Sequence, residues 1–198
     1  MSIEAILDYW FGADAEDTVV AKQKSALWWS KNPATDEEIR QRFASWVTKA
    51  STGELADWQS TPSGLLALIL LTDQFPRNIH RDSPKAFAQD SKALAWSLEG
   101  IRRGFDLKLR PIERVFFYLP LEHAESLDYQ ERSVKLVREL AETVAARQTP
   151  LFEEYLDIAV RHRDIIARFG RFPHRNKILG RESTAEEIAF LAEPGSSF

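Results

Sequence analysis

Residues 64–71 read Gly-Leu-Leu-Ala-Leu-Ile-Leu-Leu, a run with no polar side that a helix could turn to water. Thr61-Pro62 precedes it, a cap residue and then a proline in the first turn, so Pro62–Phe75 is expected to be a helix. A helix that is apolar on every side lies inside, surrounded by others. Arg114–Leu121, RVFFYLPL, is apolar around most of its circumference and makes the same demand, with Pro120 expected to end or kink it. Leu65–Leu71 is far short of the roughly 18–20 residues that span a bilayer. The chain must therefore supply its own amphipathic cover for two interior helices.

That cover is present in the sequence. Asp36–Val47 sets Ile39, Phe43, Trp46 and Val47 at helical spacing between charged residues, with Thr35 or Asp36 as its cap and Gly53 beyond its end. Ala21–Trp29, Ala86–Ile101 and Glu131–Val144 read the same way. Strand-like alternation is nowhere sustained, and no Asn-Gly or Asp-Gly turn joins two β-branched runs. The expected fold is all-α: about eight or nine helices in layered antiparallel pairs, a tetratricopeptide-like, solenoid-like helical domain. Residues 61–78 should pair with 83–102, and 111–120 with 127–147. No composition break is long enough to be a linker, so residues 1–198 are read as one domain, with 193–198 a disordered tail. Ser183-Thr184-Ala185-Glu186-Glu187 carries a capping-box pattern that opens a short terminal helix.

Composition narrows the function classes. The 198 residues are 44% hydrophobic and 28% charged, which excludes wholesale disorder. With no cysteine there is no disulfide, thiolate metal site or Cys nucleophile. The opening MSIEAILDYWFG lacks a basic region and a cleavage site, so a soluble, cytoplasmic protein is expected, with no membrane partner. The six tryptophans (10, 28, 29, 46, 58 and 96) lie in the first half and read as inter-helix packing, with a stacking platform for a planar ligand as the alternative.

Polar chemistry in apolar places marks the candidate site. Asp73-Gln74 follows the 65–71 run directly and precedes Phe75-Pro76-Arg77-Asn78, where the proline is read as stopping the helix. A carboxylate there must be paired, with Arg77, Arg81, Arg171 or Arg175 as partner. Glu122-His123-Ala124-Glu125 follows the second apolar helix, and a histidine between carboxylates is an ingredient of acid–base work. A metal site would need ligands gathered from distant segments, and none is expected. Segment 161–181, RHRDIIARFGRFPHRNKILGR, carries net +6 in a chain of net −4. Its arginines suit bidentate contacts to carboxylate or phosphate, or pairing with the chain's own acids. The overall acidity speaks against nucleic acid as partner.

Leu70–Asn78, Leu119-Pro120-Leu121 with His123 and Glu125, and Arg168–Asn176 with Leu179-Gly180-Arg181 together resemble the bacterial family of unknown function called DUF924. Tyr9-Trp10-Phe11 and Trp28-Trp29 followed by Asp36 and Phe43 fit it too, so the likeness covers nearly the whole chain. The resemblance implies an all-helical, tetratricopeptide-like fold and no established activity. The family often has Met and Ser where Glu122 and Ala124 stand, which favours His123 and Glu125 over Glu122.

The functional expectation is a binding or enzymatic pocket for a small anionic molecule. Asp73, Gln74, Arg77, Asn78, Glu125, Arg171, Arg175 and Asn176 would form it, with His123 or His174 as the acid–base group. No cofactor is expected, because no P-loop, GxGxxG or Gly-x-Ser-x-Gly occurs. The alternative is a non-catalytic helical-repeat module that takes a peptide or protein partner.

Overall fold

The computed structural model describes residues 2–196, which are helical with no strand. Helices α1 (Ile3–Phe11), α2 (Asp17–Trp29) and α3 (Pro33–Thr52) open the chain. Then α4 (Pro62–Ile69), a π turn (Leu70–Gln74) and α5 (Phe75–Ile79) make one continuous rod. Helices α6 (Asp90–Arg102), α7 (Pro111–Glu122), α8 (Leu127–Thr143) and α9 (Thr149–Phe169) follow, and the short α10 (Asn176–Leu179) and α11 (Ala185–Leu191) close it. Among the described residues there are more helices than the eight or nine expected, because several are one or two turns long, too short to show a hydrophobic period.

The rod is the axis of the core: no residue from Leu65 to Leu71 exceeds 1% exposure, and Phe75 is fully enclosed. Thr61 Oγ1 caps it, accepting from the Gly64 N–H at 3.1 Å. The second interior helix, α7, buries Phe116, Phe117, Tyr118 and Leu121 completely. The rod packs against α1, α6 and α7, its far half lies on α3, and α8 and α9 form a broad pair beside α7. Ile165, Ile166 and Phe172 make a separate small cluster with Phe169 and Phe190, beyond the main core. None of the helices among the described residues is long and apolar enough to cross a membrane.

Two local details differ from the sequence reading, at the start of α3 and at Pro76. Asn32, not Thr35 or Asp36, caps α3: Pro33 starts the helix earlier, and Asn32 Oδ1 accepts from the Ala34 and Thr35 N–H groups at 2.9 and 3.4 Å. Pro76 does not stop the helix that holds Asp73. In a regular α-helix its ring would meet the Thr72 carbonyl and it could not donate there, so the backbone widens by one residue upstream and continues to Ile79. Helix α9 ends at Phe169, and its cap Gly170 takes the left-handed conformation (φ 68°) two residues before Phe172-Pro173. Of the tail, 193–196 form turns; Ser196 is buried, its hydroxyl donating to the Leu191 carbonyl at 3.2 Å, and 197–198 lie outside the described residues.

Gly100 in α6 is where the packing is closest. A Cβ there would lie 2.3 Å from Phe117 Cζ and 2.7 Å from Leu65 Cδ2, both in the core. Gly→Ala in a helix normally gains up to about 1 kcal/mol. Here the clash reverses the sign, and Gly100→Ala is expected to lose about 1–3 kcal/mol, as overpacked cores do. A thermal melt should show a Tm several degrees lower.

Candidate functional site

The π turn carries Asp73 to a point with no solvent contact. His123 Nδ1, at the end of α7, lies 2.7 Å from Asp73 Oδ1, and Gln74 Nε2 donates to Oδ2 at 2.6 Å. Arg77, one turn on, donates to the Asp73 carbonyl at 2.5 Å and stands 3.3 Å from its carboxylate. The same guanidinium makes a bidentate pair with Asp90 of α6, both bonds 3.0 Å. Burial by itself would raise the Asp73 pKa; Arg77 and His123 outweigh it and hold the group ionised, well below the ordinary carboxylate range. Burial, with Arg77 adding to it, pushes His123 below its ordinary value, so the imidazole is neutral at pH 7. Since an ionised carboxylate only accepts, Asp73 fixes the His123 proton on Nδ1 and leaves the lone pair on Nε2.

Beside this dyad lies a cavity of about 780 Å³, walled by the end of α2, the rod, α7, α9 and residues 173–178. It sits where the main core meets the small C-terminal cluster. Gln74, Arg77, Asn78, His123, His174 and Arg175 line it, so six of the sequence candidates do converge. Six basic side chains line it (Lys31, Arg77, Arg81, Arg161, Arg175 and Lys177) against two acidic ones, Asp82 and Glu122. Glu122 is buried, and burial raises its pKa to about 8, with the Asp73 charge adding to the effect. The acid is therefore protonated at neutral pH, close to His162, whose own pKa burial drives well down.

Of the Lys and Arg side chains that line the cavity, Arg175 is the buried one. It is 6% exposed, with its guanidinium between two rings, 4.4 Å from the Phe172 centroid and 4.9 Å from that of Phe87. One nitrogen donates to the His123 carbonyl at 3.0 Å, while Nε is buried with no hydrogen-bond partner. Burial, reinforced by the Arg77 charge, lowers its pKa to about 10. Burial also lowers His174, to about 4, with Arg175 as the next cause.

Four candidates do not line the cavity. Asp73 lies behind His123, sealed from it. Glu125 accepts from Arg181 at 2.6 and 2.9 Å and from the Phe172 N–H at 2.8 Å. Arg171 is bound to Glu187 at 2.7 and 2.8 Å, and Asn176 donates to Ser183 and Glu187 and accepts from Arg181. Glu125, Arg171 and Asn176 thus form a brace that ties 171–187 together through Arg181 and Glu187. Asn78 reaches both roles: it lines the cavity and donates to Asp36 at 3.0 Å. Sequence reasoning missed Asp90, Phe87 and His162. The last had a signal, since it follows Tyr155 by seven residues and Ile158 by four on one face of α9. Among the described residues, no three His, Asp or Glu side chains are grouped to hold a metal ion.

The Glu122 environment has a measurable consequence. An acid whose pKa rises on folding stabilises fully below its ordinary value, here 4.5, and loses that contribution as pH rises through about 8. The buried histidines, with lowered pKa values, act in the opposite direction, so the comparison must be with a single variant. Glu122→Gln should gain Tm relative to the unaltered protein as pH is raised from 5 to 8.5. Parallel Tm curves for the two proteins would show that Glu122 is ionised throughout.

The family pattern described as "bacterial protein of unknown function (DUF924)" matches residues 6–195. A solved structure of a protein of unknown function from Agrobacterium tumefaciens is 39% identical, with a TM-score of 0.80 over 96% of each chain. No curated protein matches the sequence. With the pattern matched along nearly its whole length, and a relative this similar in both sequence and fold, the chain belongs to the DUF924 family.

Proposed function

We propose that the cavity binds a small organic anion, a carboxylate or a phosphate, through Arg175, and that His123 is the proton acceptor or donor beside it. The observation that carries this reading is Arg175 itself. A guanidinium set against Phe87 and Phe172, nearly sealed from water and with its nearest carboxylate 3.8 Å away, is a costly arrangement unless an anion comes to it. Its side chain is held before any ligand arrives, so little conformational freedom is lost on binding. In a partly dry cavity its attraction for an oxyanion also exceeds that of a surface arginine.

The dyad supports an enzymatic form of the reading. Asp73 orients His123 and leaves Nε2 basic, which is what a general base requires, and Arg175 and Arg77 stand where negative charge would develop. Placement at a walled cavity supports a small molecule over the peptide-binding helical-repeat alternative, which calls for a long open groove.

Phosphate, sulfate and malonate, each added to the full chain, should raise Tm. At about 100 times Kd the stabilisation is about 2.7 kcal/mol, a shift of several degrees. Arg175→Ala should lose the shift while keeping the helical circular-dichroism spectrum. A bound anion should also raise the His123 pKa, read by NMR. A shift of equal size in Arg175→Ala would place the anion elsewhere and defeat the reading.

A further inference from the structure

The cavity has two chemically different ends. Helices α7 and α9 both run alongside it: from Val115 and Leu119 to His123 on α7, and from Tyr155 and Ile158 to His162 on α9. Spacings of three and four residues keep each set on one helix face. Trp29 belongs to the end where Val115 and Tyr155 lie. Its ring centroid is 6.3 Å from that of Tyr155, and it stacks on Phe116, the next residue after Val115, at 5.7 Å and 12°. His123 and His162 mark the other end, their rings 6.3 Å apart, and Arg175 donates to the His123 carbonyl there. The polar and apolar ends are therefore separated by two turns of helix, about 12 Å at about 1.5 Å per residue.

An inorganic anion would occupy only the polar end. The rest of the 780 Å³ would hold water against Trp29, Val115, Leu119, Tyr155 and Ile158, of which Val115, Leu119 and Ile158 offer it no partner, while Lys31, two residues beyond Trp29, also lines the cavity. Pockets of about 300–1,000 Å³ are of the size that encloses whole organic molecules. We infer that the ligand is an amphipathic organic anion, whose carboxylate or phosphate head meets Arg175 and whose apolar chain, about 10 Å long, lies between α7 and α9 towards Trp29. This rests on the anion-site reading above and adds the chemistry of the rest of the molecule.

The test is a homologous series: n-alkyl carboxylates from acetate to decanoate, n-alkyl phosphates, inorganic phosphate, and neutral alcohols of matching length, titrated into the full chain by calorimetry. Kd should fall about fourfold per added methylene until the chain reaches about eight carbons, then level off. The carboxylate and phosphate arms show which head the site prefers. Trp29, 49% exposed, can be removed with little risk to folding. Trp29→Ala should weaken members of six or more carbons roughly fivefold and leave acetate and inorganic phosphate unchanged. Ile158→Glu, which places a charge in the path, should abolish the gain with length.

A Kd that stays flat from acetate to octanoate, with the short anions still dependent on Arg175, overturns the chain and leaves the anion site standing. Chain-length dependence unaltered in both variants puts the chain outside the cavity and overturns it too. Alcohols that bind as tightly as the matching carboxylates support the apolar half and defeat the anionic head. If no member binds, long or short, both readings fall.

Discussion

Asp73 keeps its charge away from water because Arg77, His123 and Gln74 reach it from different directions. Removing one partner of a buried ion pair typically costs about 3–5 kcal/mol, so these contacts cannot be exchanged freely. Each partner also holds something else. Arg77 ties the rod to α6 through Asp90, and His123 carries the carbonyl to which Arg175 donates. The arrangement around one buried carboxylate thus fixes the relative positions of the rod, α6, α7 and the C-terminal segment. The residues that line the cavity are held by the same contacts that hold the fold.

The resulting electrostatics are finely balanced. At the polar end two guanidinium groups, Arg77 and Arg175, face two carboxylates, Asp73 and Asp90, and nearby Glu122, His123 and His162 are held neutral by burial. Arg77 has close carboxylates on two sides, whereas the nearest to Arg175 is Asp90 at 3.8 Å. An anion arriving at Arg175 would restore the guanidinium towards its ordinary basicity and make His123 easier to protonate. Charge on such an anion and a proton on the imidazole would then be coupled.

Much of this was legible in the sequence, and the reasons are physical. A run such as Leu65–Leu71 has only one place to go, and Asp73, set two residues beyond it, had to find a partner; Arg77 lay within one turn. The +6 segment was harder. Arg171 and Arg175 are four apart and read as equals, yet the left-handed turn at Gly170 and the tight turn at 173–175 send one to Glu187 and the other into the cavity. Helical spacing does not apply where the chain turns back on itself. Asp90 was invisible for a related reason: it opens α6 thirteen residues after Arg77, and only the corner between them brings the two together. Glu122 shows the opposite failure, because its charges invite pairing in the sequence while burial leaves it a neutral acid.

The π turn at 70–74 turns chain length into information. Its extra residue rotates all that follows by about 100° relative to a regular helix. Upstream, Pro62–Ile69 answers only to the packing of the core; downstream, Phe75–Ile79 presents Arg77 and Asn78 on a face the core did not choose. Shortening 70–74 by one residue would leave the same leucines to fill the same interior, yet swing Arg77 and Asn78 away from Asp90 and Asp36. Two sequences with equal apolar content could then share an architecture and differ in whether they have a site at all. In this rod the number of residues before Pro76, as much as their identity, encodes the chemistry.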